Sequence, residues 1–313
     1  MDITHLVDLC NRHILGKPGT FRLLPGLTIL CREAESDLEA VVYDPVVCLI
    51  LQGSKVTSIG DQTAVLLPGD ALLVSHDLPV VSRITKASAR EPYLALILSL
   101  DLALVRSLYD QLADVPAAGV QGHSLAAAPA DPAWVAPLVR YLELMDNPLD
   151  AKVLGPSTRR EIHYRLLLSP LGAMLRNLLV ADSHASRIAR AIGLLRTRFR
   201  TRLTVEELAK AAGMGASSFH DHFRSVTGTT PLQYLKDLRL IEARSLLSDR
   251  SHSVSEAAYA VGYESPTHFS RDYSRKFGQP PSRQTRGDGS ASLPQARRAS
   301  GSEKRADIPL AAQ

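Results

Sequence analysis

Residues 204–231 read TVEELAKAAGMGASSFHDHFRSVTGTTP, and residues 253–281 read SVSEAAYAVGYESPTHFSRDYSRKFGQPP. The second stretch repeats the first. Val254 and Gly262 answer to Val205 and Gly213 after 49 residues, and Phe269, Tyr273 and Pro281 answer to Phe219, Phe223 and Pro231 after 50. A repeat of this kind sets architecture before any single residue does. In each copy an N-cap, Thr204 or Ser253, stands three residues before a glutamate, Glu207 or Glu256, which is the capping-box spacing. Apolar residues follow at helical intervals: Val205, Leu208, Ala209 and Ala212, then Val254, Ala257, Ala258 and Val261. Gly213 and Gly262 sit where each helix must stop in a left-handed residue. A second helix starts within three residues. In the later copy Ser265 caps it and Pro266 occupies its first turn, where proline has no hydrogen bond to lose. Phe219 with Phe223, and Phe269 with Tyr273, stand at i, i+4 and turn inward. Helix, glycine turn, helix is the helix-turn-helix unit, predicted here twice.

Two ordinary helical hairpins of an all-α core are the plainer alternative, and shared caps, glycines and aromatics in both copies weigh against it. The outward faces decide further. On the first copy they carry Ser217, His220, Asp221 and Arg224; on the second, Thr267, Ser270, Arg271 and Ser274, with Pro266 at the helix start and Arg275 further along. Small or hydrogen-bonding side chains without apolar bulk suit base-edge reading in a major groove. Arg271 is placed to reach a base edge and Arg275 a phosphate. Asp221 departs from that pattern, because phosphate repels it. It can accept from a cytosine amine, or pair with His220 or Arg224 and orient them.

The runs GMGASSFHDHFRSVTGTTPLQYLKDLRLIEARSLL and VGYESPTHFSRDYSRKFGQPPS resemble the DNA-binding domain of AraC/XylS-type transcription regulators. The resemblance extends over roughly residues 187–286 and rests on TGxxPxxYL, RLxxAR and FGxxPS. It implies double-stranded promoter DNA as the partner, and activation through contact with RNA polymerase.

The charge is divided to match. Residues 187–286 hold 17 Lys/Arg against 9 Asp/Glu, whereas residues 1–186 hold 15 against 20. A net charge of +4 for the whole chain hides this asymmetry, which is the one a phosphate-binding module requires. The N-terminus has neither a basic start nor an unbroken apolar segment, so it does not read as a signal peptide, and no apolar run approaches a membrane span. Cys10, Cys31 and Cys48 have no metal-binding spacing and leave an odd thiol, which fits a reduced cytoplasm. Cys48, inside VVCLIL, reads as a small buried apolar residue; a redox role would need an exposed thiolate.

Residues 20–100 are strand-rich. Apolar runs at 27–30, 46–51, 56–59, 64–67, 71–74, 80–84 and 94–98 are separated by Gly53-Ser54, Gly60-Asp61, Pro68-Gly69-Asp70 and Asp77-Leu78-Pro79. This punctuation predicts an antiparallel sandwich or barrel. The strand–GD–strand–PGD–strand order resembles a cupin. YDPVVCLILQGSKVTSIG, LLVSHDLPV and EPYLALILSLD resemble the N-terminal domain of one AraC subfamily, over roughly residues 20–180. A cupin could be an enzyme, but its metal site needs a His-x-His cluster, and this region offers only His76. His76 reads as a turn or pocket-wall residue. We therefore expect no catalytic residues, no metal and no cofactor, and a barrel that binds a small effector or serves as a platform.

From Asp101 the pattern is helical: one helix through Leu102, Val105 and Tyr109, another from Asp131-Pro132 through Trp134, Leu138 and Met145, and a leucine-rich stretch from Gly155 to Val180 around Ser169-Pro170. Its surplus leucines are buried against the barrel or pair with a second subunit in a homodimer. The expected organisation is multi-domain: a cupin-like β-barrel with flanking helices at 1–180, a linker at 181–186, an all-α double helix-turn-helix domain at 187–286 and a disordered tail at 287–313. The expected function is sequence-specific transcription regulation without a membrane association. An enzyme and a non-specific architectural DNA binder are the rivals.

Overall fold

The structure is a computed structural model and describes residues 3–112, 123–180 and 182–284. The expected tail at 287–313 lies outside them. Helix α1 (Ile3–Ile14) precedes nine strands: β1 (Gly19–Leu24), β2 (Leu27–Arg32), β3 (Glu39–Tyr43), β4 (Val46–Gln52), β5 (Ser54–Ile59), β6 (Gln62–Leu66), β7 (Asp70–Val74), β8 (Leu78–Lys86) and β9 (Tyr93–Ser99). After α2 (Leu102–Tyr109) comes β10 (Leu125–Pro129), then α3 (Pro132–Glu143), a 3-10 turn, α4 (Pro148–Leu168) and α5 (Ala173–Leu179). The helical part holds α6 (His184–Arg198), α7 (Val205–Ala212), α8 (Ala216–Thr227), α9 (Pro231–Ser248), α10 (Val254–Ala260), α11 (Pro266–Phe277) and the short α12 (Pro281–Gln284).

The strands form two antiparallel sheets, ordered β1-β2-β9-β4-β7-β10 and β3-β8-β5-β6. They remain separate sheets, an open cupin-like arrangement that does not close into a ring. All seven expected strand runs are present. β1, β3 and β10 are additional, and the last, LAAAP, escapes periodicity because alanine marks neither face. The larger sheet is apolar on both sides, which explains the continuous run in β4. Its residues Val47, Leu49 and Leu51 face a core shared with α1 to α5, whereas Cys48 and Ile50 face the interior between the sheets. Period-two alternation thus feeds two cores from one strand.

The leucine-rich helix starts earlier than expected, at Pro148, because Asn147 caps it through Leu149 N–H at 3.0 Å. Its second half is buried through Ile162, Leu166 and Leu167, while Leu149, Val153 and Leu154 in its first half are exposed. Helix α6 likewise starts early, at His184, because Ser183 accepts from Ser186 N–H at 3.0 Å, so four of the six expected linker residues belong to its cap and first turn. Among the described residues, no helix is long and apolar enough to cross a membrane.

Candidate nucleic-acid interface

Both repeats fold by the same local rules. Thr204 and Ser253 each make a two-way capping box with Glu207 and Glu256. The backbone turns left-handed at Gly213 (φ 65°) and at Gly262 (φ 88°). At Gly262 an added Cβ would stand 2.3 Å from the Arg200 carbonyl oxygen, so space as well as torsion demands glycine there. Phe219, Phe223, Phe269 and Tyr273 are wholly buried. Phe223 meets Tyr234 of α9 edge-on at 5.5 Å, and Tyr273 meets Phe277 at 4.4 Å. These anchors set the rotation of α8 and α11, and with it which side chains face out.

Ser217, His220, Asp221 and Arg224 all lie exposed on α8. On α11, Thr267, Arg271 and Arg275 are exposed, while Pro266, Ser270 and Ser274 are half-buried. Ser274 donates its hydroxyl to the Ser270 carbonyl at 2.8 Å. Arg271 makes no hydrogen bond or ion pair among the described residues. Arg275 faces Asp272 at 3.5 Å, one helical turn back. Asp221 pairs with neither His220 nor Arg224; Arg224 instead faces Asp61 of the β5–β6 turn at 3.6 Å.

Much of the basic charge of this part is structural. Lys276 and Asp237 pair at 2.7 Å in a nearly buried contact, and Lys236 pairs with Asp272 at 3.3 Å, so α11 is fastened to α9 by two crossed ion pairs. Arg239 donates to the carbonyls of Phe199 and Thr201 at 2.7 and 2.8 Å. Counting cations along the chain could not separate these from ligand-facing ones, because their partners are 36 to 40 residues away.

Sequence reasoning also missed the joint between the helical part and the sheets. Arg196 of α6 reaches Asp44 at 2.5 Å and also Asp77, through the same terminal nitrogen. The Tyr234 hydroxyl donates to the Asp77 carbonyl. Burial, and then the neighbouring Asp44 carboxylate, push the Asp77 pKa up to about 6 against the pull of Arg196. His76 is buried beside this cluster. Its Nδ1 lies 2.9 Å from the hydroxyls of both Ser75 and Ser124, and its Nε2 lies 3.1 Å from the Ala185 carbonyl. Burial lowers its pKa to about 4, so the ring is neutral and Nε2–H donates to the carbonyl. His76 is thus a joint residue; among the described residues no three His, Cys, Asp or Glu side chains group to hold a metal. Cys10, Cys31 and Cys48 are buried free thiols whose pKa values burial raises.

Behind the joint, β1 to β5 and β9 line a cavity of about 480 Å³. Lys55 lines it although only 4% of that residue is exposed. Alternation along β5 could have shown this, since Lys55 shares the inward phase with Thr57 and Ile59.

The sequence model of the AraC-type transcriptional regulator N-terminus matches residues 23–174, and that of a helix-turn-helix domain matches residues 208–287. Together the two span well over half of the chain. The HTH-type transcriptional activator RhaS of Salmonella schwarzengrund is 31% identical over 146 residues, 46% of this chain and 50% of RhaS. The chain therefore spans about half the length of the curated relatives it matches. Among solved structures, ToxT from Vibrio cholerae at 1.65 Å resolution aligns with 83% of this chain and 98% of its own, with a TM-score of 0.53 at 13% identity. ToxT from Vibrio cholerae O395 aligns with 83% of this chain and 97% of its own, with a TM-score of 0.51 at 12% identity. Those likenesses establish a shared fold.

Proposed function

The chain belongs to the AraC-type transcriptional regulators, and from that membership we propose that it is a sequence-specific regulator that reads promoter DNA with both helix-turn-helix motifs. The observation that carries this reading is the pair of recognition helices with matched aromatic anchors, whose opposite faces present Ser217, His220, Asp221 and Arg224 on one and Thr267 and Arg271 on the other. Helix α9 joins the two motifs. Its 18 residues span about 27 Å at ~1.5 Å per residue, which approaches the ~34 Å repeat of successive major grooves.

One chain then contacts two unlike elements on one face of the duplex, about 10 base pairs apart. The sense of regulation is activation, as in the name of the matched relative, with RNA polymerase as the protein partner and the cytoplasm as the place of action. The cavity beside the joint is the effector site, and a homodimer would repeat the DNA element. Residues 1–180 serve regulation and residues 187–286 bind DNA; no catalytic step belongs to this function.

The test is a footprint of the full chain on the promoter it enriches from genomic DNA. Inserting five base pairs between the two elements turns one to the opposite face and abolishes single-chain binding. A footprint that survives the insertion, or a short perfect palindrome as the minimal site, would overturn this reading.

A further inference from the structure

A buried lysine needs an explanation, because a desolvated ammonium is costly unless something negative meets it. Lys55 donates to the Tyr43 hydroxyl at 2.5 Å, with its ammonium 5.2 Å from the centre of the same ring. Glu39 acts on it through space. The acidic residue that lines the cavity, Asp44, is already held by Arg196 at 2.5 Å. Arg22, the other cation of the lining, is exposed and makes no ion pair among the described residues. The remaining wall is largely aliphatic, including Leu24, Leu27, Val41, Val46 and Ile97. The lining thus offers two cations, four neutral hydroxyls (Thr20, Thr28, Tyr43 and Ser99) and one carboxylate already neutralised, around a largely apolar space whose volume is typical of small-molecule sites.

We infer that this cavity takes a small apolar carboxylate, whose anionic group sits against Lys55 and Tyr43 while its hydrocarbon body lies on the aliphatic wall. The inference rests on reading the cavity as the effector site and adds the ligand's chemical class. A neutral ligand is disfavoured, because it leaves the buried Lys55 ammonium without a counter-charge. A cationic ligand is excluded by like charge at both Lys55 and Arg22. Asp44 joins the cavity to Arg196 of α6, so a bound anion is felt where the helical part is fastened.

The experiment is calorimetry on the full chain with three probes of one shape: cyclohexylacetate, cyclohexylacetamide and cyclohexylethylamine. The carboxylate binds about 10- to 100-fold more tightly than the amide, the factor associated with a hydrogen bond to a charged group, and the amine does not bind. Lys55→Met, which keeps the length of the side chain, brings the carboxylate down to the level of the amide and leaves the amide unchanged. Equal binding of carboxylate and amide by the wild type overturns the inference whether or not the variant folds, and so does absence of carboxylate binding at millimolar concentration. A folded Lys55→Met protein that still prefers the carboxylate also overturns it. DNA binding is measured on the same wild-type sample. Protein that binds promoter DNA but fails the probe series refutes the ligand class alone, whereas protein that binds no DNA refutes the regulator reading.

Discussion

The two helix-turn-helix motifs share caps, glycine turns and aromatic anchors, yet they stand in different surroundings. The first is braced by the sheets. The Val226 carbonyl at the end of α8 accepts from Ser124 N–H at 2.9 Å, and Arg224 faces Asp61. Gly60 approaches Gly228 so closely that an added Cβ would stand 1.8 Å from its carbonyl oxygen. The second motif is fastened to α9, through Asp237–Lys276 and Lys236–Asp272, and its Arg271 is free of partners among the described residues. Equal local folding therefore does not mean equal access. On the second helix the one ion pair of an outward cation, Arg275 with Asp272, is within the helix, while on the first Arg224 is engaged by another part of the same chain.

The largest expected effects test whether the motifs are equal inside. Phe219→Ala and Phe269→Ala each remove a wholly buried ring, which costs about 3–5 kcal/mol in a closed core. Urea unfolding followed by circular dichroism measures both. A cost below about 1 kcal/mol at either position would show that the two rings are not equivalent anchors.

The next effect concerns the brace and depends on pH. Asp77, with its pKa pushed up from 3.8 to about 6, contributes stability that is full below about pH 4 and lost as pH rises through about 6. His76, with its pKa lowered from 6.5 to about 4, contributes stability that is full above about pH 6.5 and lost as pH falls toward 4. Each is worth on the order of 3 kcal/mol across its span, and between pH 4 and 7 they oppose each other. Asp77→Asn uncovers the histidine: the variant loses about 3 kcal/mol more than the wild type between pH 7 and pH 4. Parallel wild-type and variant curves of unfolding free energy against pH would sink this account of the joint.

The contrast in access is sharpened on DNA. Arg271→Ala costs about 1–3 kcal/mol of promoter affinity and relaxes preference at one base position, whereas Arg275→Ala weakens all sequences alike and lowers the salt slope by about one. Electrophoretic shifts on single-base operator variants separate the two, and equal loss of specificity in both would remove the distinction. The smallest effect belongs to the first motif. Asp61→Asn releases Arg224 from an exposed pair worth about 0.2–1 kcal/mol, so promoter affinity rises by at most about fivefold. A fall in affinity would mean that Asp61 orients Arg224 for DNA and does not compete with it.

The helix-turn-helix motifs were legible because everything that makes them is local. Thr204 reaches Glu207 across three residues, Gly213 closes its own helix, and Phe219 and Phe223 meet on one helix face. Seven strands were legible for the same reason, since β-branched runs and GD turns act over a few residues. The strand β10 was not, because its alanines have no face of their own and pair with β7 only after a return of more than 50 residues. The recognition faces follow from helical phase, so the positions of Ser217, His220, Asp221, Arg224, Thr267 and Arg271 relative to their anchors could be read from spacing alone.

Which of those side chains are engaged was decided by tertiary structure. Arg196 meets Asp44 across 152 positions, and Arg224 meets Asp61 in preference to the neighbouring Asp221. Charges exert their forces through space, and nothing in a run of residues says which distant carboxylate the fold will bring within 4 Å. The same holds for the glycines. Sequence alone determined that Gly213 must turn left-handed at the end of its helix, whereas only packing determined that Gly60 has no room for a side chain, because the carbonyl that would collide with it belongs to Gly228 in the other half of the molecule.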